Sequence, residues 1–265
     1  MPESVSRLAT DIGGDLLRGA LLGTPLPLLD GRYRVDRILG RGATGVVVRA
    51  RDERLARDVA IKVAPSSAAS QRMLQEARAL ARMRRPAFVV QVWETASGRF
   101  SEASFVGLVN YIVMELVIGV TLRVWGAATQ PGARDVLAVY AKVATGLANV
   151  HAAGLAHGDV KPDNIILDAS GAPTLVDFGF AAPTQQARRG GQRGEVVGTP
   201  AYMAPEVLTG DVLPASDVYA FATSLSEALT GSLPVDGDLV DCSPRGPSGH
   251  LGEWLLPRPL REALT

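Results

Sequence analysis

Hydrophobic and polar positions change their period along the chain, and the change divides it. Residues 1–30 mix polar and apolar positions with Gly and Pro, and read as an extension or a short docking helix. From Tyr33 the pattern becomes strand-like: "YRVDRILG" alternates, and "GVVVRARD" and "RDVAIKVA" are short and β-branched. "SQRMLQEARALARM" follows, with Met73, Leu74, Ala77, Leu80 and Ala81 on one helical face. "FVVQVWET" and "NYIVMEL" read as strands again, separated by a loop containing Gly and Ser. After Gly119 the spacing turns helical, clearest in "ARDVLAVYAKVATGLANVHAAG", which closes on a glycine stop signal. Five strands and one helix followed mostly by helices predict an α+β protein, a small antiparallel-sheet lobe before a larger helical lobe. "PVDGDLVDCSPRGPSGHLG" reads as loop.

Composition narrows the function classes. A length of 265 residues suits one large domain or two lobes, and 47% hydrophobic residues allow a sizeable core. The zero net charge supplies no global field for nucleic acid or an anionic membrane, so neither is expected as a partner. Cys242 is the only cysteine, which rules out a disulfide framework or zinc-ligand spacing and points to a reducing compartment, the cytoplasm. The apolar "LLRGALLGTPLPLL" is broken by Arg18, Gly19, Gly23, Pro25 and Pro27, and "YIVMELVIGV" carries Glu115; both fall short of the roughly 20 apolar residues a membrane helix needs. No membrane segment is expected in the chain. Three lysines stand against 24 arginines, which singles out Lys62, Lys142 and Lys161.

The chemistry lies in an ordered set of short motifs. "LGRGATGVVV" places Gly40, Gly42 and Gly45 in G-x-G-x-x-G spacing, so that backbone N–H groups can approach phosphate oxygens. The spacing alone is weak, but a strand-like "GVVVRA" follows where a dinucleotide fold needs a helix, which favours a hairpin folded over ATP. "VAIK" sets Lys62 on the next strand, where an ammonium can pair with nucleotide phosphates and with Glu76 of the following helix. In "HGDVKPDN", Asp159 can accept a substrate hydroxyl proton, Lys161 can neutralise the transferring phosphoryl group, and Asn164 can ligate a metal. "DFG" then supplies Asp177 to bridge Mg²⁺ and phosphates. His157 and His151 read as structural. Asp217, in "SDVYAF", sits at a helix start, where an N-cap is the simplest account.

Taken together, "GRGATGVV", "VAIK", Glu76, "HGDVKPDN", "DFG", "GTPAYMAPE" and "SDVYAF" resemble a eukaryotic-type serine/threonine protein kinase of the kind also found in bacteria, over about residues 33–235. The resemblance implies residues 1–30 as an N-terminal extension and 31–265 as the kinase domain: a small lobe over 31–114, a hinge over 115–118 and a partial large lobe over 119–265. It implies ATP with Mg²⁺, or Mn²⁺ in its place, in a cleft; Leu39, Val47 and Ala60 around the nucleotide; Met114 as gatekeeper; and Glu115 to Val117 offering backbone bonds to adenine. Asn164 and Asp177 would hold the metal. Leu80 and Phe178 would join His157 in an apolar column, Thr199 would bond Asp159 and Lys161, and Asp217 would buttress the catalytic loop. The substrate would be a protein, the chain itself included.

Two departures from the pattern matter. Gly158 stands where most members carry an arginine that receives an activation-loop phosphate, and the loop's one hydroxyl is Thr184, beside Arg188, Arg189 and Arg193. Weak dependence on loop phosphorylation follows. The large lobe usually continues beyond "LPRPLREALT"; a longer protein, a second chain completing the lobe or a shortened pattern are the alternatives, with Arg258 or Arg261 as substitute partners of Glu206. Two other functions compete: a pseudokinase acting as a nucleotide-binding scaffold, and a small-molecule kinase, which the "HGD" opening favours and Lys161 with "GTPAYMAPE" opposes.

Overall fold

The computed structural model describes residues 2–101, 103–105, 107–178, 182–183 and 199–234, the side chains of 72, 76, 182, 183 and 209 excepted. The chain forms two compact units. One comprises residues up to 86 together with 90–117, the other 87–89 together with the described residues from 118 onward.

The first unit runs α1 (Glu3–Leu22), β1 (Leu28–Leu29), β2 (Tyr33–Gly42), β3 (Gly45–Asp52), β4 (Arg57–Pro65), α2 (Ala68–Ala81), β5 (Val92–Ser101) and β6 (Leu108–Glu115). Its strands close into an antiparallel barrel in the order β1-β2-β3-β4-β6-β5. β1 makes the closure: Leu28 and Leu29 pair with Arg34 and Tyr33 on one side and with Ser101 and Phe100 on the other. A closed sheet leaves no strand edge to template aggregation. The β3–β4 turn is fixed by Asp52, fully buried, which accepts from Arg32 at 2.9 and 2.8 Å and from the backbone N–H groups of Arg54 and Leu55. The Arg32 guanidinium is the main reason its carboxyl lies below the usual range.

The N-terminal stretch, which the residue pattern sets apart as an extension or short docking helix, is a 20-residue helix built into this unit. Val5, Leu8, Ala9 and Ile12 belong to the same buried cluster as Tyr33, Val46, Val48, Ile61, Val63 and Tyr111. Gly13 and Gly14 obscure the helix's length in a propensity reading, since each weakens it by about 1 kcal/mol relative to Ala. Burial of one face outweighs that cost. The helix stops at Gly23, whose φ of 67° is left-handed and whose N–H returns to the Gly19 carbonyl. β5 also differs from the "FVVQVWET" expectation, starting at Val92 and running through Gly98 to Ser101. Phe88 and Val89 are drawn out of the barrel: Val89 bridges Leu175, and the Phe88 carbonyl accepts from the Leu175 N–H at 2.9 Å, both within the second unit.

The second unit runs β7 (Val120–Thr121), α3 (Leu122–Thr129), α4 (Ala133–Ala152), β8 (Leu155–Ala156), β9 (Ile165–Leu167), β10 (Pro173–Leu175), β11 (Ala182–Pro183) and α5 (Pro214–Thr230). Its core sits between α4 and α5. Val136, Tyr140, Val143 and Leu147 recur at helical spacing and are buried, and the Tyr140 ring meets Phe221 edge-on at 5.4 Å. The short sheet β10-β9-β7 frames the catalytic-type loop from Ala156 to Asn164. No helix among the described residues is long and apolar enough to cross a membrane.

Candidate active site

The sequence-predicted residues fall on both units. In the first, the barrel register aligns them. Val47 lies opposite Lys62, which lies opposite Ile112, and Ala60 lies opposite Met114. Because successive residues alternate faces, Val47, Ala60, Lys62 and Met114 share the face turned away from the Val46, Val48, Ile61 and Val63 core. Gly40 pairs with Val47, and Leu39 sits at the irregularity between Ile38 and Gly40. Lys62 is 3% exposed. Burial of an ammonium to that degree calls for anionic company. Glu76 lies on α2, with its side chain outside the described residues.

The glycines of the hairpin differ in what they answer to. A Cβ on Gly45 would meet the Val63 carbonyl oxygen at 2.5 Å, so the fold itself requires glycine there. A Cβ on Gly40 would meet nothing within 4 Å, and one on Gly42 only the Gly45 carbonyl at 3.9 Å. The protein's own packing does not require these two glycines; open space where a side chain would stand fits the close approach of a phosphate ligand. At the expected hinge, the Glu115 N–H already donates to the Gln91 carbonyl at 2.9 Å, while Val117 lies beyond the last strand pair.

In the second unit the loop from His157 to Asn164 gathers around one carboxylate. Asp159, 7% exposed, accepts from Lys161 Nζ at 2.6 Å and from Asn164 Nδ2 at 2.9 Å on the same oxygen. Its other oxygen accepts from Thr199 Oγ1 at 3.3 Å, and Thr199 in turn accepts from Lys161 Nζ at 2.6 Å. Asn164 Nδ2 also donates to the Asp159 carbonyl at 2.8 Å. The amide nitrogen of Asn164 is thereby committed, and its oxygen remains as the acceptor a hard cation can use.

Asp217 holds the loop from below. It is the fourth residue of α5, with Leu213 at the cap, so its role is tertiary rather than that of an N-cap. Its 1% exposed carboxylate accepts from the backbone N–H of His157 at 2.7 Å and of Gly158 at 2.8 Å. His151 Nε2, in the last turn of α4, lies 2.8 Å from the same group. Gly158 has φ of 80°, a left-handed conformation that glycine adopts without strain.

His157 is fully buried. Its Nδ1 accepts from the Asp159 N–H, which leaves Nε2 to donate to the Val176 carbonyl at 3.2 Å. Burial is the main reason its pKa lies below the ordinary value, only partly opposed by Asp217, Asp159 and Asp177. A neutral imidazole with both nitrogens engaged orients the loop and does not act as a base. Phe178 packs on it, ring centroids 4.4 Å apart. Asp177, between Val176 and Phe178, is held at φ of 60°, a conformation rare for a non-glycine residue. The Val176 N–H bonds the Asn164 carbonyl at 2.9 Å, so the turn presenting Asp177 is tied directly to the loop presenting Asn164.

Sequence reasoning missed a second cluster. Arg123 on α3 donates to Asp163 at 2.9 Å, to Glu227 at 2.9 Å and to the Tyr202 hydroxyl at 2.7 Å, and Tyr202 donates to Glu227 at 2.6 Å. One guanidinium thus ties the catalytic-type loop to the "GTPAYMAPE" segment and to α5. Asp163 and Tyr202 lie inside quoted motifs; Arg123 lies in none, and nothing in its neighbourhood signals it. Glu206 accepts from Ser216 Oγ at 2.7 Å. Thr184, Arg188, Arg189, Arg193, Gly198, Cys242, Arg258 and Arg261 lie outside the described residues.

Among the described residues no three His, Cys, Asp or Glu side chains gather into a metal cage. Mg²⁺ does not require one, since it takes one or two carboxylate or amide oxygens and completes its shell with phosphate and water. Asp177 and Asn164 fit that donor set.

The protein kinase domain model matches residues 33–242. The chain is 39% identical to the serine/threonine-protein kinase PknL of Mycobacterium tuberculosis over 80% of its length and 52% of the relative's. It is 39% identical to the DNA damage-responsive serine/threonine-protein kinase RqkA of Deinococcus radiodurans over 81% of its length and 32% of the relative's. It is 38% identical to the serine/threonine-protein kinase PknA of Mycobacterium tuberculosis over 79% of its length and 49% of the relative's. The chain therefore spans about half or less of the length of these relatives. With a family model that covers most of the chain, the chain belongs to the protein kinase domain family.

Proposed function

We propose that the protein transfers the γ-phosphoryl group of Mg-ATP to a serine or threonine hydroxyl of a protein substrate. The observation that carries the reading is the Asp159 carboxylate with Lys161, Asn164 and Thr199 converging on it within 3.3 Å. The substrate oxygen attacks the γ-phosphorus, the bond to the β-phosphate oxygen breaks, ADP leaves, and the hydroxyl proton passes to Asp159. Lys161 sits where its ammonium offsets charge on the transferred group, and Lys62 pairs with the phosphates that remain. Mg²⁺, or Mn²⁺ in its place, would be held by Asp177 and Asn164 and would supply charge neutralisation at the phosphates. Positioning and electrostatics account for the catalysis; the side chains form no covalent bond to substrate.

The finer assignments rest on particular residues. Lys161 bridging Asp159 and Thr199, together with the names of the relatives, supports Ser/Thr over Tyr. Gly158, with its N–H on Asp217 and no side chain, offers no receptor for a loop phosphate. Thr184→Ala or phosphatase treatment therefore leaves the rate within a few-fold; a hundredfold loss, about 2.7 kcal/mol in the barrier, overturns that point. The single cysteine supports a reducing compartment, the cytoplasm, as its setting. The substrate protein and self-phosphorylation belong to the same proposal.

Incubation with Mg-ATP and a generic protein substrate, followed by mass spectrometry, tests it. Phosphate appears on Ser or Thr with the parent chain and is lost with Asp159→Ala and Asp177→Ala. Equal incorporation in the Asp177→Ala protein refutes the assignment. Nucleotide binding without turnover favours the scaffold reading, and phosphorylation of a small alcohol alone favours a small-molecule kinase.

A further inference from the structure

Residues 3–22 precede the segment matched by the family model, which begins at residue 33, yet they share a core with the glycine-rich hairpin. Val5, Leu8, Ala9 and Ile12 are each at most 5% exposed, and Ile38, two residues before Gly40, packs on the same cluster. Val46 and Val48 flank Val47, and Ile61 and Val63 flank Lys62. Helix α1 and the candidate nucleotide face are therefore opposite sides of one sheet, a single residue step apart.

Two further contacts fix the helix in place. At Gly13 the helix backbone lies against the hairpin: a Cβ there would sit 3.4 Å from the Arg41 guanidinium and 3.8 Å from Ile38 Cδ1. Arg41 stands between Gly40 and Gly42. Two residues later the buried Asp15 accepts from the Ser104 N–H and hydroxyl, both at 2.7 Å, and from Arg18, which pins α1 to the β5–β6 connection. A stretch with three glycines in six positions has little rigidity of its own. Ordering it on a ligand would lower affinity unless the free protein already holds it.

We propose that α1 is a positioning element for the glycine-rich hairpin, with Gly13 as its point of approach, and that it pre-organises the hairpin for the nucleotide phosphates. The proposal rests on the nucleotide-binding reading of that hairpin. Its test uses the full chain with two readouts, amide hydrogen exchange over residues 38–48 without nucleotide, and KM for ATP against kcat. Gly13→Trp forces Arg41 and Ile38 aside. Faster exchange over 38–48 is expected, with 155–176 unchanged, and KM for ATP rises about tenfold while kcat stays within about twofold. Gly13→Ala, whose Cβ makes ordinary contact, matches the parent. Should Gly13→Trp fail to fold, Ile12→Val shows a smaller effect of the same sign in both readouts. Unchanged hairpin exchange in a parent-like fold, or exchange that rises evenly through the whole barrel, overturns the proposal. If the parent binds no ATP while Gly13→Trp still loosens the hairpin, the kinase reading falls and the positioning role stands.

Discussion

The glycines of "GRGATG" are not equivalent, and substitution separates them. Gly45 is enclosed by β4, so Gly45→Ala forces the hairpin off its strand and costs about 1–3 kcal/mol; a lowered melting temperature checks it. Gly42 faces open space, and Gly42→Ala leaves stability within about 0.5 kcal/mol while raising KM for ATP. The spacing of the three was plain in the sequence. Which one the fold needs and which ones a ligand needs was not, because that depends on how close another strand's carbonyl comes. His157 carries a second prediction at this scale. Burial keeps its folded pKa below the ordinary 6.5, so as pH falls the unfolded chain takes up the proton first. The stability this contributes is complete above pH 6.5 and is lost progressively as pH falls toward the folded value. Denaturation midpoints measured from pH 7.5 to 5.5 should decline, and the slope should be shallower in His157→Gln, which removes the titration.

Elements were legible where one hydrophobic period dominates. β2, β3, β4, α2 and α4 lie where alternation or helical spacing puts them. The 20-residue length of α1, read as an extension or a short docking helix, was obscured by two mid-helix glycines; β1 was hidden by being two residues long, and the start of β5 by an apolar run whose first residues pair with Leu175 elsewhere. The Arg123 cluster was illegible for a different reason: it joins α3, the catalytic-type loop, the Pro200–Tyr202 turn and α5, which no local pattern relates. Its geometry predicts a cost. Arg123→Ala leaves Asp163, Glu227 and Tyr202 without their shared donor and should lower stability by about 1–2 kcal/mol, tempered by partial exposure. Arg123→Lys should recover less than half, since an ammonium cannot fork to three acceptors. Urea denaturation of the three proteins decides it. Full recovery by Lys would mean that charge alone matters there.

At the scale of the whole molecule, the predicted chemistry is divided between a sheet unit carrying Lys62 and the glycine hairpin and a helical unit carrying Asp159, Asn164 and Asp177. In the proposed reaction, phosphate neutralisation, metal binding and proton acceptance draw on groups of both units. Binding of Mg-ATP should therefore register in both units. At a nucleotide concentration 100 times Kd the folded chain gains about 2.7 kcal/mol, seen as a higher melting temperature and as slower amide exchange over residues 40–47 and over 157–164. Lys62→Met should reduce the gain with Mg-ATP. Asp177→Ala should abolish the part that depends on Mg²⁺ while leaving a smaller shift with metal-free ATP. Protection confined to residues 40–47, with none at 157–164 whatever the metal, would make this chain a nucleotide-binding module whose helical unit takes no part.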